Sequence, residues 1–111
     1  MKIETAKKLA WPWETEKDYV LRYGKWNLWN GTDWSEFQTG AEKESIPCPS
    51  IEEMLERMPK GTRCYKSFND GYGAAWGDEK QYTPLFLEDT PSEALALLCL
   101  WLRDNNLMKW G

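Results

Sequence analysis

"EDTPSEALALLCLWLRDNNLMKW", residues 88–110, decides the architecture of this 111-residue chain. Thr90 is a good N-cap. Pro91 suits the first helical position, where its missing N–H has no partner to lose, and Glu93 completes a Thr-x-x-Glu capping box. The spacing predicts a helix from Pro91 to about Asn105, with Asn105-Asn106 supplying a left-handed exit. Its middle, Ala94 to Leu102, is apolar on every side, so protein must cover it on more than one flank. Burying its larger side chains contributes roughly 1.5–3 kcal/mol each, as an upper bound. This helix anchors the fold.

Upstream, "PSIEEMLERMPKG" (49–61) carries a second capping box, Ser50 to Glu53. Ile51, Met54, Leu55 and Met58 make one apolar stripe, and Pro59 with Gly61 stops the helix after about two turns. Between the helices, "TRCYKSFNDGYGAAWG" (62–77) reads as a hairpin turning at Asp70-Gly71, a type I′ signal. A two-residue loop would place Asn69 opposite Tyr72, Tyr65 against Trp76 and Ser67 against Ala74. Phe68 would then lie over Gly73 on the other face. "YTPLFLE" (82–88) adds a third strand, with Pro84 marking an edge or delaying its start.

Residues 1–45 are less decided. "KDYVLRYG" (17–24) is a candidate strand. "KWNLWNGTDWSEF" (25–37) fits a hairpin turning at Asn30-Gly31, with Trp29 and Trp34 diagonal on one face. It also fits a turn followed by a short helix capped at Asp33, with Trp34, Phe37 and Ala41 in a stripe, the reading slightly preferred. The fold class expected is therefore α+β. A small antiparallel meander of about three strands is packed by the long C-terminal helix, with one short amphipathic helix and a Trp-rich N-terminal segment wrapping the sheet. The chain reads as a single domain, 1–111, with the Trp-rich segment at 1–45 and a helix-strand-strand-strand-helix core at 46–111.

Composition narrows the function. The formal net charge of −4 argues against duplex nucleic acid, which needs clustered Lys and Arg. The positive groupings are only Lys7-Lys8 and a looser set, Lys60, Arg63 and Lys66. Cys48, Cys64 and Cys99 are odd in number and never in CxxC spacing, as expected of free thiols in a reducing compartment. The longest apolar run, "ALALLCLWL", is too short to span a membrane, and "MKIETAKKLAWPW" lacks the apolar stretch of a signal peptide, so a cytoplasmic location is expected. The chain has no histidine. That removes the commonest general base near neutral pH and rules out Ser-His-Asp, Cys-His and zinc-histidine sites.

Of the remaining chemistry, Asp18, Glu36, Asp70, Asp78 and Asp89 lie in or near loops, where turn and cap roles outweigh acid–base catalysis. No glycine-rich phosphate loop occurs, and no metal or cofactor is expected. The chain is read as a non-enzyme.

Eight tryptophans are the conspicuous feature. Trp11, Trp13, Trp29 and Trp34 are the candidate binding residues, able to stack on sugar rings or unpaired bases. Acidic neighbours (Glu14, Glu16, Asp18, Asp33, Glu36) weaken a nucleic-acid platform, and the favoured reading is that these indoles cover the sheet face opposite the helix. Exposed "LAWPWE" (9–14), extended by its proline, is the best protein-docking candidate.

At the final helix the chain resembles the C-terminal end of small uncharacterised bacteriophage and prophage proteins, which finish on an "EAL-A-LW-L-EN-L" type helix. The likeness covers Tyr82 to Met108, and "SIEEMLERMPKG" has the same character. It implies a phage or mobile-element origin and life in a bacterial cytoplasm, and it brings no catalytic residues. Two functions follow as expectations. One is a non-catalytic accessory protein that meets a protein partner or forms a homo-oligomer. The other is a small-ligand or carbohydrate-binding module using the aromatic segment.

Overall fold

The computed structural model describes residues 1–22, 24–29, 45–67, 70–77 and 86–110. Its C-terminal half follows the capping logic closely. Helix α3, Pro91–Asp104, is capped by the Thr90 hydroxyl, which accepts from the Glu93 N–H at 3.2 Å. Asn106 leaves the helix in the left-handed region at φ 58°. Ala94, Leu95, Ala96, Leu98, Cys99 and Leu102 are all fully buried, as a helix apolar on every side demands. Helix α2, Ile51–Arg57, has the full capping box: Ser50 accepts from the Glu93-equivalent third position, Glu53, and the Glu53 carboxylate accepts from the Ser50 N–H.

Strands β4 (Thr62–Lys66), β5 (Tyr72–Trp76) and β6 (Phe86–Glu88) form an antiparallel meander in the order β4-β5-β6, with α3 packed on one face. The register corrects the expected one. Lys66 pairs Tyr72, Tyr65 pairs Gly73, Cys64 pairs Ala74 and Thr62 pairs Trp76. Ser67 donates to the Gly71 carbonyl at 2.7 Å, so three residues rather than two separate the paired ends. Asp70, at φ 54°, takes the left-handed position of such a three-residue loop. Because side chains alternate, this odd shift takes Tyr65 off the face expected to carry Trp76 and Ala74 and puts it on the side away from α3. The expected place of Phe68 falls outside the described residues.

The N-terminal part contributes elements of its own. Helix α1, Ile3–Leu9, buries Thr5, Ala6 and Leu9. Strands β1 (Asp18–Arg22), β2 (Lys25–Trp29) and β3 (Ser45–Pro47) make a second antiparallel sheet in the order β2-β1-β3. Gly24, at φ 75°, turns the chain between β1 and β2. The choice between hairpin and helix beyond Trp29, with Trp34, lies outside the described residues.

The class is α+β, with the meander and long helix as expected, but the N-terminal segment is placed differently. Helix α1 packs on α3, and Trp11 and Trp13 join the same apolar cluster as Leu95, Leu98 and Leu102. Helix α1, Trp11 and Trp13 thus cover the second flank of α3. The physical reason is the helix itself: a sheet covers one side of it, and the remaining apolar side needs a partner.

Candidate functional site

Three tryptophans are gathered where the two chain ends meet. Trp11 and Trp13 lie with ring centroids 4.9 Å apart at 69°, and Trp110 meets Trp11 at 5.5 Å and Trp13 at 5.3 Å, all edge-on. Such T-shaped pairs place the positive ring edge against a negative ring face. Arginine closes the cluster at both ends. The Arg57 guanidinium of α2 sits 4.7 Å from the Trp13 centroid, and that of Arg103 lies 5.2 Å from Trp110. Arg103 also donates to the carbonyls of Lys8 (3.1 Å) and Leu9 (3.0 Å), tying α3 to the end of α1.

Among the described candidate binding residues, the structure brings together Trp11 and Trp13. Trp11 is 3% exposed and so is closed to a ligand. Among the described residues its indole N–H finds no hydrogen-bond acceptor, and the ring is held by packing. Trp13 is half-buried under Arg57. Trp29 lies in β2, opposite Asp18 and outside this triad, and Trp34 lies outside the described residues. Docking through "LAWPWE" is corrected too: Leu9 and Trp11 are buried in the core. Trp110, the third member, was not anticipated. The signal for it is the left-handed exit at Asn106 followed by the buried Met108, which folds the tail back along α3.

The carboxylates behave as cap and turn groups. Asp18 accepts from the Thr15 hydroxyl at 2.6 Å, Asp70 occupies the hairpin loop, and Asp89 precedes the Thr90 cap. Glu36 and Asp78 fall outside the described residues. Glu93 differs, being 5% exposed. It accepts from the Lys2 N–H at 2.8 Å and from the Thr5 hydroxyl, so it does not turn back to complete a capping box. The Met1 ammonium donates to Ser92 Oγ at 3.0 Å, and the Tyr19 hydroxyl donates to the Met1 carbonyl. Here the head of the chain is pinned to the start of α3.

The thiols are poor nucleophiles. Burial pushes Cys99 up to about 12, and burial also raises Cys64 and, against the Met1 ammonium and Lys17, Cys48. Burial, with the nearby Cys48, Glu93 and Glu4, raises the Tyr19 phenol. Among the described residues no group of three or more Cys, Asp or Glu side chains is placed to hold a metal ion. No described helix is long and apolar enough to cross a membrane.

Two surface features remain open. A groove of about 630 Å³ runs beside Arg103, Asn106, Leu107, Lys109 and Trp110. The other is the outer face of the meander, where Tyr65 is 42% and Leu87 52% exposed. Comparison with protein-family models, curated proteins and solved structures found no match to this chain.

Proposed function

We propose that this chain is a non-catalytic phage or prophage accessory protein. It would work in the bacterial cytoplasm through protein–protein interaction or self-assembly. The observation that carries this reading is the outer face of the β4–β6 meander. Its middle is apolar, exposed and built on paired strands, whereas burial raises the thiols, Asp18 and Asp70 serve turns and Glu93 holds α1. Rigid strands presenting large apolar side chains suit recognition better than bond-making. The phage assignment rests on the likeness of the last helix. Light scattering together with a pull-down from host lysate tests the reading, and a strict monomer that captures nothing overturns it.

A second reading, a small-ligand or carbohydrate-binding module, is favoured by the groove at the end of α3. It offers one half-buried indole, Trp110, with Arg103 and Lys109 at its rim. Titrating the intrinsic fluorescence with a panel of sugars and nucleotides decides it, and a flat response throughout removes it.

A further inference from the structure

We infer that the outer face of the β4–β6 meander is self-complementary and joins two copies of this chain in an antiparallel, two-fold dimer. The inference deepens the interaction reading above and rests on it. It starts from the register. Residues paired across antiparallel strands share a face, so Arg63, Tyr65, Gly73 and Leu87 all lie on the side away from α3. Gly73 has no side chain to raise the middle of this surface, and the Tyr65 ring lies directly over it. A Cβ built at Gly73 would meet Tyr65 Cζ at 2.6 Å. Leu87 is the neighbour of Gly73 on the other side. The centre is therefore flat, apolar and exposed.

Its two ends carry opposite charge. Arg63 stands at one end, exposed. At the other, about 13 Å away at the usual rise per strand residue, the β4–β5 loop presents Asp70. There Asp70 and Asp89 border a notch of about 210 Å³, with Leu87 in its wall. Arg63, Asp70 and Asp89 form no ion pair among the described residues, where the pair within 4 Å is Arg103 with Asp104. A cation at one end, an anion at the other and an apolar centre are the pattern an isologous interface needs, since each patch meets its opposite on the second copy.

A two-fold axis between the faces and across the strands sets β4 over β4 with its direction reversed. Each Arg63 then faces the Asp70 loop of the other copy, and Tyr65 and Leu87 close the middle at the roughly 10 Å spacing of stacked sheets. A second copy is the occupant that fits because one face supplies both halves of the charge pattern. An unrelated acidic partner would use Arg63 and leave Asp70 unmatched.

Sedimentation velocity on the full chain, from about 5 to about 500 µM at low and high salt, tests this in the range where weak dimers form. The expected result is a dimer that weakens as salt rises. Arg63→Glu and Leu87→Lys, both on exposed positions, are each expected to weaken it by about tenfold or more. Asp70→Asn, which suits the left-handed backbone there, is expected to weaken it less. The charge swap, Arg63→Glu with Asp70→Lys, is expected to restore much of the loss. A monomer across the whole range overturns the inference, and so does a dimer indifferent to Arg63→Glu and Leu87→Lys. If that monomer still captures a host protein, the interaction reading survives and only the self-complementary face is lost.

Discussion

Helices α3 and α1 lie side by side in the core, yet they are held by different means. Helix α3 has 14 residues, a hydroxyl cap, a proline start and a left-handed exit, so each end is specified within its own segment. Helix α1 has seven residues, and Lys2 at its N-cap gives no side-chain bond. A helix that short is marginal alone, and tertiary contacts must hold it. They come from α3: Glu93 accepts from the Lys2 N–H and the Thr5 hydroxyl, and Arg103 donates to the Lys8 and Leu9 carbonyls. Thus the C-terminal region specifies itself, and the N-terminal region is specified by where it docks.

The largest test strikes the element both regions share. Leu98 is fully buried in the cluster that joins α3 to Trp11 and to the meander. Leu98→Ala should cost about 2–5 kcal/mol, the transfer loss plus the cavity left behind. Urea unfolding followed by far-UV circular dichroism and by tryptophan fluorescence should show both signals moving together to lower midpoints. Retention of the indole signal after the helical signal has gone would break the claim that the N-terminal region depends on α3.

An alkaline test reads the same core through a proton. The Cys99 thiol is pushed from 9.0 up to about 12 by burial. Between those values the unfolded chain releases the proton and the folded chain keeps it. The contribution is therefore fully present below pH 9 and lost as pH rises toward 12. Stability should fall by roughly 2 kcal/mol between about pH 9 and 10.5 from this group, at about 1.4 kcal/mol per pH unit. The raised Tyr19 phenol acts in the same direction. Cys99→Ala should flatten the slope of urea stability against pH, and an unchanged slope sinks the assignment to Cys99.

Glu93→Ala sharpens the comparison, because it cuts the bond between regions and leaves the α3 core intact. Two donors, the Lys2 N–H and the Thr5 hydroxyl, would lose their buried acceptor, at about 1–3 kcal/mol. Amide hydrogen exchange should show protection falling across α1 and staying in the middle of α3. Equal loss in both would mean that the two regions open as one unit.

What could be read beforehand divides along the same line. The caps at Thr90 and Ser50 are local chemistry, so both helices stood in the sequence with nearly correct ends. The strand positions of the meander followed from alternation, but its register did not. Asp70-Gly71 favours a two-residue turn with both residues left-handed, whereas in the observed loop Asp70 alone of the two is left-handed and the Gly71 carbonyl accepts from the Ser67 N–H. That changes which face Tyr65 occupies. Helix α1 was invisible because its stabilising partners lie far along the chain, Glu93 being 91 positions beyond Lys2. The same distance in sequence concealed the meeting of Trp11 and Trp13 with Trp110, whose geometry no local pattern encodes.

The smallest effects are the most specific, since they exchange what the two helices have. Thr90→Ala removes the cap of α3 and leaves the Glu93 N–H without its acceptor, at about 1 kcal/mol. Lys2→Ser adds to α1 what it lacks, an N-cap oxygen able to accept from the Glu4 or Thr5 N–H, and keeps the backbone N–H that Glu93 holds. The gain should be a few tenths of a kcal/mol up to about 1. If α1 owes its existence to docking, Lys2→Ser should raise protection of the α1 amides and leave the exchange of α3 unchanged. Thr90→Ala should lower both, because the first turn of α3 carries Ser92 and Glu93, the partners of Met1, Lys2 and Thr5. A loss confined to α3 would show that the docking contacts survive fraying of that turn, and that Glu93 holds α1 through its buried position rather than through the cap.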